Sequence, residues 1–190
     1  MSTPGSARLG RWVTELRLTP ADRITLGRAA LGGVCAVLVA LGYLGYLPGR
    51  SWALFLVALP TALLDAVDGA VARRTNTVTE RGARWDVAVD SAVLLVLSLA
   101  LVPLAPWILL MGAARYLFLL GGRFRPQWLL PLPFRQSRRL IGGLQALVTV
   151  TALVPVVPVT VVQWSTGLTV ALVAYSFARD IRYQERRRAY

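Results

Sequence analysis

Residues 65–90 contain the pattern Asp65-x2-Asp68-Gly69-x2-Ala72-Arg73-x8-Gly82-x3-Asp86-x3-Asp90. The chain has nine acidic residues, and four of them occupy this pattern between long apolar runs, where a carboxylate is costly and usually functional. On helices each aspartate pair would share one face, because residues three or four apart lie side by side. Two such faces brought together would repel each other unless cations lay between them. Oxygen ligands without histidine indicate Mg²⁺ or Mn²⁺, so the pattern predicts a metal site that binds a pyrophosphate.

The pattern resembles the signature of the CDP-alcohol phosphatidyltransferases. These integral membrane enzymes move a phosphatidyl or related group from a CDP-linked lipid to an alcohol and release CMP. All eight specified positions match that signature. The resemblance implies that Asp65, Asp68 and Asp86 bind divalent metals, two ions in all, and that Asp90 is a further ligand or the general base. Asp90 would take the proton from the acceptor hydroxyl, which then attacks the lipid-side phosphorus of CDP-diacylglycerol.

Several further residues are expected to contact the nucleotide. Glycine at positions 69 and 82 would let it approach the backbone closely, and the Arg73 guanidinium suits phosphate oxygens. Family members often carry Pro-Asn-x-Leu/Ile-Thr before the first span, where this chain has Ala21-Asp22-Arg23-Ile24-Thr25. Capping of the first helix is an alternative role for Asp22. The expected nucleotide-binding residues are Gly69, Ala72, Arg73, Gly82, Thr25, Thr79 and Asp22.

The composition predicts a single all-α integral membrane domain over residues 1–190. Hydrophobic residues make up 56% of the chain, charged residues make up 16%, and the mean hydropathy is +0.58. The net charge of +12 comes from arginine alone, a usage that suggests a GC-rich bacterial genome. The arginines flank apolar segments, which favours anionic lipids and phosphorylated substrates over nucleic acid as partners. The single cysteine, Cys35, excludes an intrachain disulfide.

The apolar runs predict six transmembrane helices within residues 21–182. Their approximate ranges are 24–47, 51–74, 81–102 and 106–120, with two more in 140–178 separated by Pro155 and Pro158. The turns near 48–50, 103–106 and 155–158 contain Arg50 as their only arginine. The positive-inside rule therefore predicts an inner-membrane protein with both termini and the aspartates on the cytoplasmic side.

The two ends of the chain are expected to lie at the membrane surface. Within residues 1–20, the apolar residues Leu9, Trp12, Val13 and Leu16 have helical spacing. They predict an amphipathic helix that either lies in the interface or packs on the bundle. Residues 183–190 form a basic tail suited to anionic headgroups.

The acceptor alcohol is less clearly indicated by the sequence. Arginines that would lie near the cytoplasmic ends of the last three spans suit a phosphorylated acceptor such as glycerol 3-phosphate or inositol phosphate, although topology alone would also place arginines there. The candidate acceptor-binding residues are Arg115, Arg135, Arg138, Arg139 and Arg179. Members that use glycerol 3-phosphate often carry Gly-Lys-x-Lys-Thr-x2-Gln, to which Arg139 and Gln145 correspond here, whereas Ile141 and Gly142 depart from it.

Two other functions remain open from the sequence. One is a cardiolipin-synthase-type reaction that uses phosphatidylglycerol as acceptor. The other is a non-enzymatic polytopic protein that binds or transports divalent cations, since intramembrane aspartates also serve ion pathways. Family members are commonly homodimers, and the small residues Gly112, Ala113 and Ala114 would permit close contact between helices.

Overall fold

The computed structural model describes residues 20–75, 80–129 and 136–187, and along residues 65–75 it describes the backbone alone. This part of the chain contains six α-helices and no strand, as the sequence predicts. A 3₁₀ turn, Pro126–Leu129, follows the fourth helix. The helices are α1 Pro20–Tyr43, α2 Trp52–Thr75, α3 Glu80–Leu101, α4 Ile108–Phe124, α5 Gln136–Ala152 and α6 Val159–Arg187. The amphipathic helix predicted over residues 1–20 lies outside the described part, except for Pro20, which begins α1.

A glycine ends the first helix at the end of the bundle that contains Arg50. Gly45 has a φ of 81°, a left-handed conformation that glycine adopts without strain. The Gly45 amide donates to the carbonyl of Gly42, and the Tyr46 amide donates to that of Leu41, which is the Schellman arrangement. The first helix therefore ends at Tyr43, four residues before the predicted end of the first span at 47.

The packing of the helices shows which elements are neighbours. The connection between α2 and α3 is short enough for these helices to pack directly on each other. In the described part of the chain, α1 instead packs extensively against both of them, while α2 and α3 do not pack extensively against each other. The helix α3 also packs on α4, and α6 packs on α4 and α5. The first helix therefore packs on both of the helices that carry the aspartate pattern.

The α3–α4 contact uses one of the small residues that we expected at a dimer interface. Gly112 is buried in α4, and a Cβ atom there would lie 2.8 Å from the Cα of Leu95 and 2.7 Å from the Oγ of Ser98. Such distances require glycine, because a methyl group would force the helices apart. Gly112 therefore permits close packing of α4 on α3 within the chain, and the homodimer stays a prediction.

Two helical segments of the described chain are long and apolar enough to cross a membrane, Arg23–Tyr43 and Val159–Glu185. The segments Trp52–Leu64 and Leu140–Ala152 are apolar but shorter. Between the helices lies an apolar core in which Cys35 is fully buried, as expected for a cysteine that acts as a small hydrophobic residue. The six helices are thus established, whereas six membrane crossings remain a prediction.

Arg50 connects two turns at the end of the bundle opposite the aspartates. Its Nη2 atom donates to the carbonyl oxygens of Val154 and of Val157, the latter at 2.8 Å. These contacts join the α1–α2 turn to the α5–α6 turn, across more than half the length of the chain. Burial lowers the pKa of the Arg50 guanidinium from its ordinary value. The arginine therefore has a structural role that explains its presence on the predicted outer side.

We expect Arg50→Gln to lower the free energy of unfolding by about 2 kcal/mol, because two hydrogen bonds from a charged donor are lost. Thermal unfolding in detergent would measure this effect. Arg23→Gln removes the same charge from an exposed position of α1 and should change the midpoint little. Equal midpoints for the two variants would contradict a role for Arg50 in joining the turns.

Candidate active site

The first half of α3 carries two carboxylates that face α1. Asp86 and Asp90 lie one helical turn apart, and both contact the guanidinium of Arg28 in α1. The Nη1 atom of Arg28 donates to Oδ1 of Asp86 at 2.5 Å, and Nη2 donates to Oδ1 of Asp90 at 3.2 Å. The Arg28 side chain is 1% exposed, whereas the side chains of Asp86 and Asp90 are 35% and 54% exposed. The site is therefore a buried cation beneath two carboxylates that remain accessible from outside.

Arg28 is the functional candidate that the sequence interpretation missed. It lies inside the predicted span 24–47, near the start of that span. A charge within a span needs a partner, because an isolated charge in the bilayer is costly. That signal predicts an ion pair for Arg28, but sequence spacing does not reveal that its partners lie 58 and 62 residues away.

The approach of α1 to α3 depends on Gly32, one turn after Arg28. A Cβ atom at Gly32 would lie 2.7 Å from Cγ2 of Val93, so the helices could not come this close with a larger residue. Further along, the Tyr43 hydroxyl donates to the Leu99 carbonyl at 2.8 Å. The contacts advance in the same order along both helices, which shows that α1 and α3 run parallel and start at the same end of the bundle.

We expect Gly32→Ala to destabilise the protein by about 1–3 kcal/mol, because the added methyl group must displace the stiff side chain of Val93. Gly33→Ala is a matched control on the adjacent residue, where a Cβ atom meets nothing within 4 Å. That control should be neutral or slightly stabilising, since alanine favours helix more than glycine does. Thermal unfolding of both variants tests the contact, and equal effects would contradict it.

The other half of the pattern lies on the final turns of α2. The backbone positions of Asp65, Asp68, Gly69, Ala72 and Arg73 all fall within Trp52–Thr75, in agreement with the predicted helical placement. Their side chains lie outside the described part, as do that of Asp22 and the whole of Thr79. Five peptide links separate the last residue of α2 from the first of α3, so those helix ends lie within about 17 Å of each other.

Two of the remaining nucleotide candidates belong to the described part. Thr25 lies one turn before Arg28 on α1, and Gly82 lies one turn before Asp86 on α3. Both are half-buried. They therefore lie near the two carboxylates along the helices, at the end of the bundle where α1 and α3 begin. Their contacts with a nucleotide remain predictions.

The candidate acceptor residues are described in part. Arg179 of α6 is half-buried, and its Nη2 atom donates to the Ser137 hydroxyl at the start of α5, at 3.0 Å. Its Nε atom is buried without a hydrogen-bond partner in the described part of the chain. Arg115 is half-buried on α4, whereas Arg135 and the side chains of Arg138 and Arg139 lie outside the described residues.

Gln145 has a structural contact that the sequence did not predict. Its Nε2 atom donates to the Met111 carbonyl at 2.7 Å. This bond links α5 to α4 in the body of the bundle. The match of Gln145 to the motif of members that use glycerol 3-phosphate therefore carries little information about the acceptor, because the side-chain amide already has a partner in the fold.

The donor set suits a hard divalent cation. Asp86 and Asp90 present exposed carboxylate oxygens on one side, and oxygen ligands of this kind are those that Mg²⁺ and Mn²⁺ prefer. Among the described side chains, no group of three or more acidic, cysteine or histidine residues lies close enough to hold a metal. Asp65 and Asp68 do not belong to that set, so these two residues would have to complete the ligand sphere.

Comparison with known proteins identifies the family. The family model described as CDP-alcohol phosphatidyltransferase matches residues 18–175. No curated protein and no solved structure gives a significant match to the chain. The matched region begins before α1, includes the whole aspartate pattern and ends within α6. The chain therefore belongs to the CDP-alcohol phosphatidyltransferase family of membrane enzymes.

Proposed function

We propose that this protein transfers the phosphatidyl group of CDP-diacylglycerol to a phosphorylated alcohol, such as glycerol 3-phosphate or inositol phosphate, with release of CMP. Membership of the family implies transfer from a CDP-alcohol to an acceptor. The proposal rests mainly on two accessible carboxylates in the first half of α3, Asp86 and Asp90. Both are held by Arg28 of α1. They belong to a signature whose other half lies on α2.

The family generally depends on divalent metal ions, and the acidic residues of this chain suit them. Asp65, Asp68 and Asp86, with Asp90 as a further ligand, would hold two Mg²⁺ or Mn²⁺ ions. Bound there, the ions would neutralise charge on the pyrophosphate and on the departing CMP. Arg73 would donate to phosphate oxygens from the last turns of α2. Gly69, Ala72 and Gly82 would leave room for the nucleotide, with Thr25, Thr79 and Asp22 near it.

Asp90 is the proposed general base. It is the more exposed of the two described aspartates, at 54%, so an acceptor arriving from water can reach it. Its carboxylate would take the proton of the acceptor hydroxyl while the hydroxyl oxygen bonds to the lipid-side phosphorus. The bond between that phosphorus and the oxygen of CMP breaks, and CMP leaves. The reaction exchanges one phosphate ester for another and needs no covalent enzyme intermediate.

The surroundings of Arg179 support a phosphorylated acceptor. Arg179 contacts Ser137 with one nitrogen and has a second, buried nitrogen without a partner in the described chain. Its fork of donors suits a phosphate group, which can accept two parallel hydrogen bonds. Arg115, Arg135, Arg138 and Arg139 would complete this basic region. The cardiolipin-synthase-type reaction, with phosphatidylglycerol as acceptor, would also bring a phosphate to it.

We further propose that all six helices cross the membrane, with both termini and the site on the cytoplasmic side. Apart from Arg50, and from Arg115 near the middle of α4, the described arginines fit this orientation under the positive-inside rule. The acyl chains of the donor could remain in the bilayer while its headgroup meets a water-soluble acceptor at the interface. We also propose that residues 1–20 form an amphipathic helix and that the protein assembles as a homodimer.

Release of CMP by the purified protein tests the function. The assay would contain CDP-diacylglycerol, Mg²⁺ or Mn²⁺ and one acceptor at a time: glycerol 3-phosphate, inositol phosphate, inositol, serine or phosphatidylglycerol. We expect metal-dependent release with a phosphorylated acceptor. Release with phosphatidylglycerol alone would favour the cardiolipin-type reaction. Failure to bind CDP would instead favour a protein that binds or transports divalent cations.

A further inference from the structure

We propose that Arg28 is a positioning residue that holds Asp86 and Asp90 in the arrangement that binds the divalent metals. This inference rests on the proposed function, because it concerns the same site. It assigns to α1 a direct part in the metal centre, although the family signature in this chain lies wholly on α2 and α3.

The difference in exposure defines the geometry of this group. Arg28 is 1% exposed and lies beneath carboxylates that are 35% and 54% exposed. The arginine contacts Oδ1 of each aspartate, while both aspartate side chains stay partly exposed to solvent. Carboxylates that bind metals are themselves commonly held by hydrogen bonds from an outer layer of residues. Arg28 is in the position that such a residue requires.

The charges explain why a buried cation is needed here. Asp86 and Asp90 lie one turn apart on α3, and like charges at that spacing repel each other. A guanidinium beneath them offsets this repulsion whether or not metal is bound. Its separate Nη1 and Nη2 atoms reach the two carboxylates individually. A lysine carries the same charge on a single nitrogen and lacks this fixed fork.

The position of Arg28 is determined by contacts further along the same helix. Gly32 packs against Val93, and the Tyr43 hydroxyl donates to the Leu99 carbonyl. These contacts hold α1 against α3 at two further points along the helices. They therefore fix the position of the Arg28 guanidinium relative to the two carboxylates. A metal site with defined geometry needs its ligands to be held by rigid neighbouring residues of this kind.

The affinity of the full-length protein for Mn²⁺, measured from free Mn²⁺ by electron paramagnetic resonance, tests the role directly. We expect Arg28→Gln to weaken Mn²⁺ binding by about 10–100-fold, the usual range when such a supporting contact is lost. Arg28→Lys should recover part of the affinity, because it restores the charge without the fork. In assays of CMP release, the Mn²⁺ concentration for half-maximal rate should rise in the same order.

Arg50→Gln is the control for a loss of stability. It also removes an arginine that bridges two parts of the fold, but at the opposite end of the bundle. We expect it to lower the thermal midpoint and leave Mn²⁺ affinity unchanged. A fall in Mn²⁺ affinity for Arg50→Gln equal to that for Arg28→Gln would reduce the role of Arg28 to general stability and overturn the proposal.

The remaining outcomes separate this inference from the proposed function. Unchanged Mn²⁺ affinity in folded Arg28→Gln would overturn the positioning role, and tighter binding would mean that the arginine competes with metal. Wild-type protein that binds Mn²⁺ and releases no CMP would overturn the transfer reaction alone. Wild-type protein that binds no Mn²⁺ would overturn the metal site, and the role of Arg28 with it.

Discussion

Asp90→Asn is expected to reduce CMP release by about a thousandfold, within the usual range for removal of a general base. The amide has almost the shape of the carboxylate, and its oxygen can still accept the hydrogen bond from Arg28. It cannot accept the proton of the acceptor hydroxyl at neutral pH. The affinity for CDP-diacylglycerol should therefore change much less than the rate. Single-turnover CMP release and equilibrium binding of the donor lipid measure the two quantities separately.

Glu185→Gln is the control for the loss of a negative charge. Glu185 lies near the end of α6, where its Oε1 atom accepts a hydrogen bond from Trp128 at 2.9 Å and lies 3.8 Å from Arg125. The glutamine keeps an acceptor for Trp128, so the fold and the rate should both be retained. Should Asp90→Asn keep more than about a tenth of the wild-type rate, Asp90 would be excluded as the base and retained at most as a metal ligand.

The six helices follow from features that act locally along the chain. Uncharged apolar runs form the helix bodies, while Pro103 and Pro106 interrupt the chain between α3 and α4, and Pro155 and Pro158 do so between α5 and α6. These interruptions do not depend on the rest of the fold, and the sequence predicts them well. The end of α1 was predicted less well, because the left-handed Gly45 stops the helix before Pro48 is reached.

The end of α4 shows where local signals were insufficient. The predicted span ended near residue 120, just before two glycines, yet the helix continues to Phe124. A Cβ atom at Gly121 would collide with the Trp128 ring, so this glycine makes room for the indole of the following 3₁₀ turn. Its role depends on packing, which spacing along the chain does not reveal.

The candidate site likewise has one part that the sequence predicts and one part that it does not. The four aspartates were found because the spacing of a signature is visible in the sequence, and the helices that carry them are in the predicted places. Arg28 was not found, because its role depends on α1 packing between α2 and α3. A short connection between two helices predicts that they are neighbours, but here it does not determine which helix fills the space between them. The part of the site supplied by α1 therefore required the structure.

A double-mutant cycle should show strong coupling between Arg28 and Asp86. It compares the wild type, Arg28→Gln, Asp86→Asn and the double variant. In EDTA, where metal plays no part, we expect each single change to lower the free energy of unfolding by about 2 kcal/mol. A buried cation loses one of its carboxylates in one variant, and two carboxylates lose their cation in the other.

The double variant should lose about 1–2 kcal/mol less than the sum of the single changes, because each single change already removes the contact between Arg28 and Asp86. Thermal or denaturant unfolding in detergent measures these differences. With Mn²⁺ present, Asp86→Asn should in addition lose most of its metal-dependent stabilisation, since it removes a proposed ligand. Additive effects in EDTA would mean that the ion pair contributes little to the fold. The other outcome is coupling in EDTA together with weakened Mn²⁺ binding in both single variants. It would show that the contact between Arg28 and Asp86 both holds α1 against α3 and positions the carboxylates for metal binding.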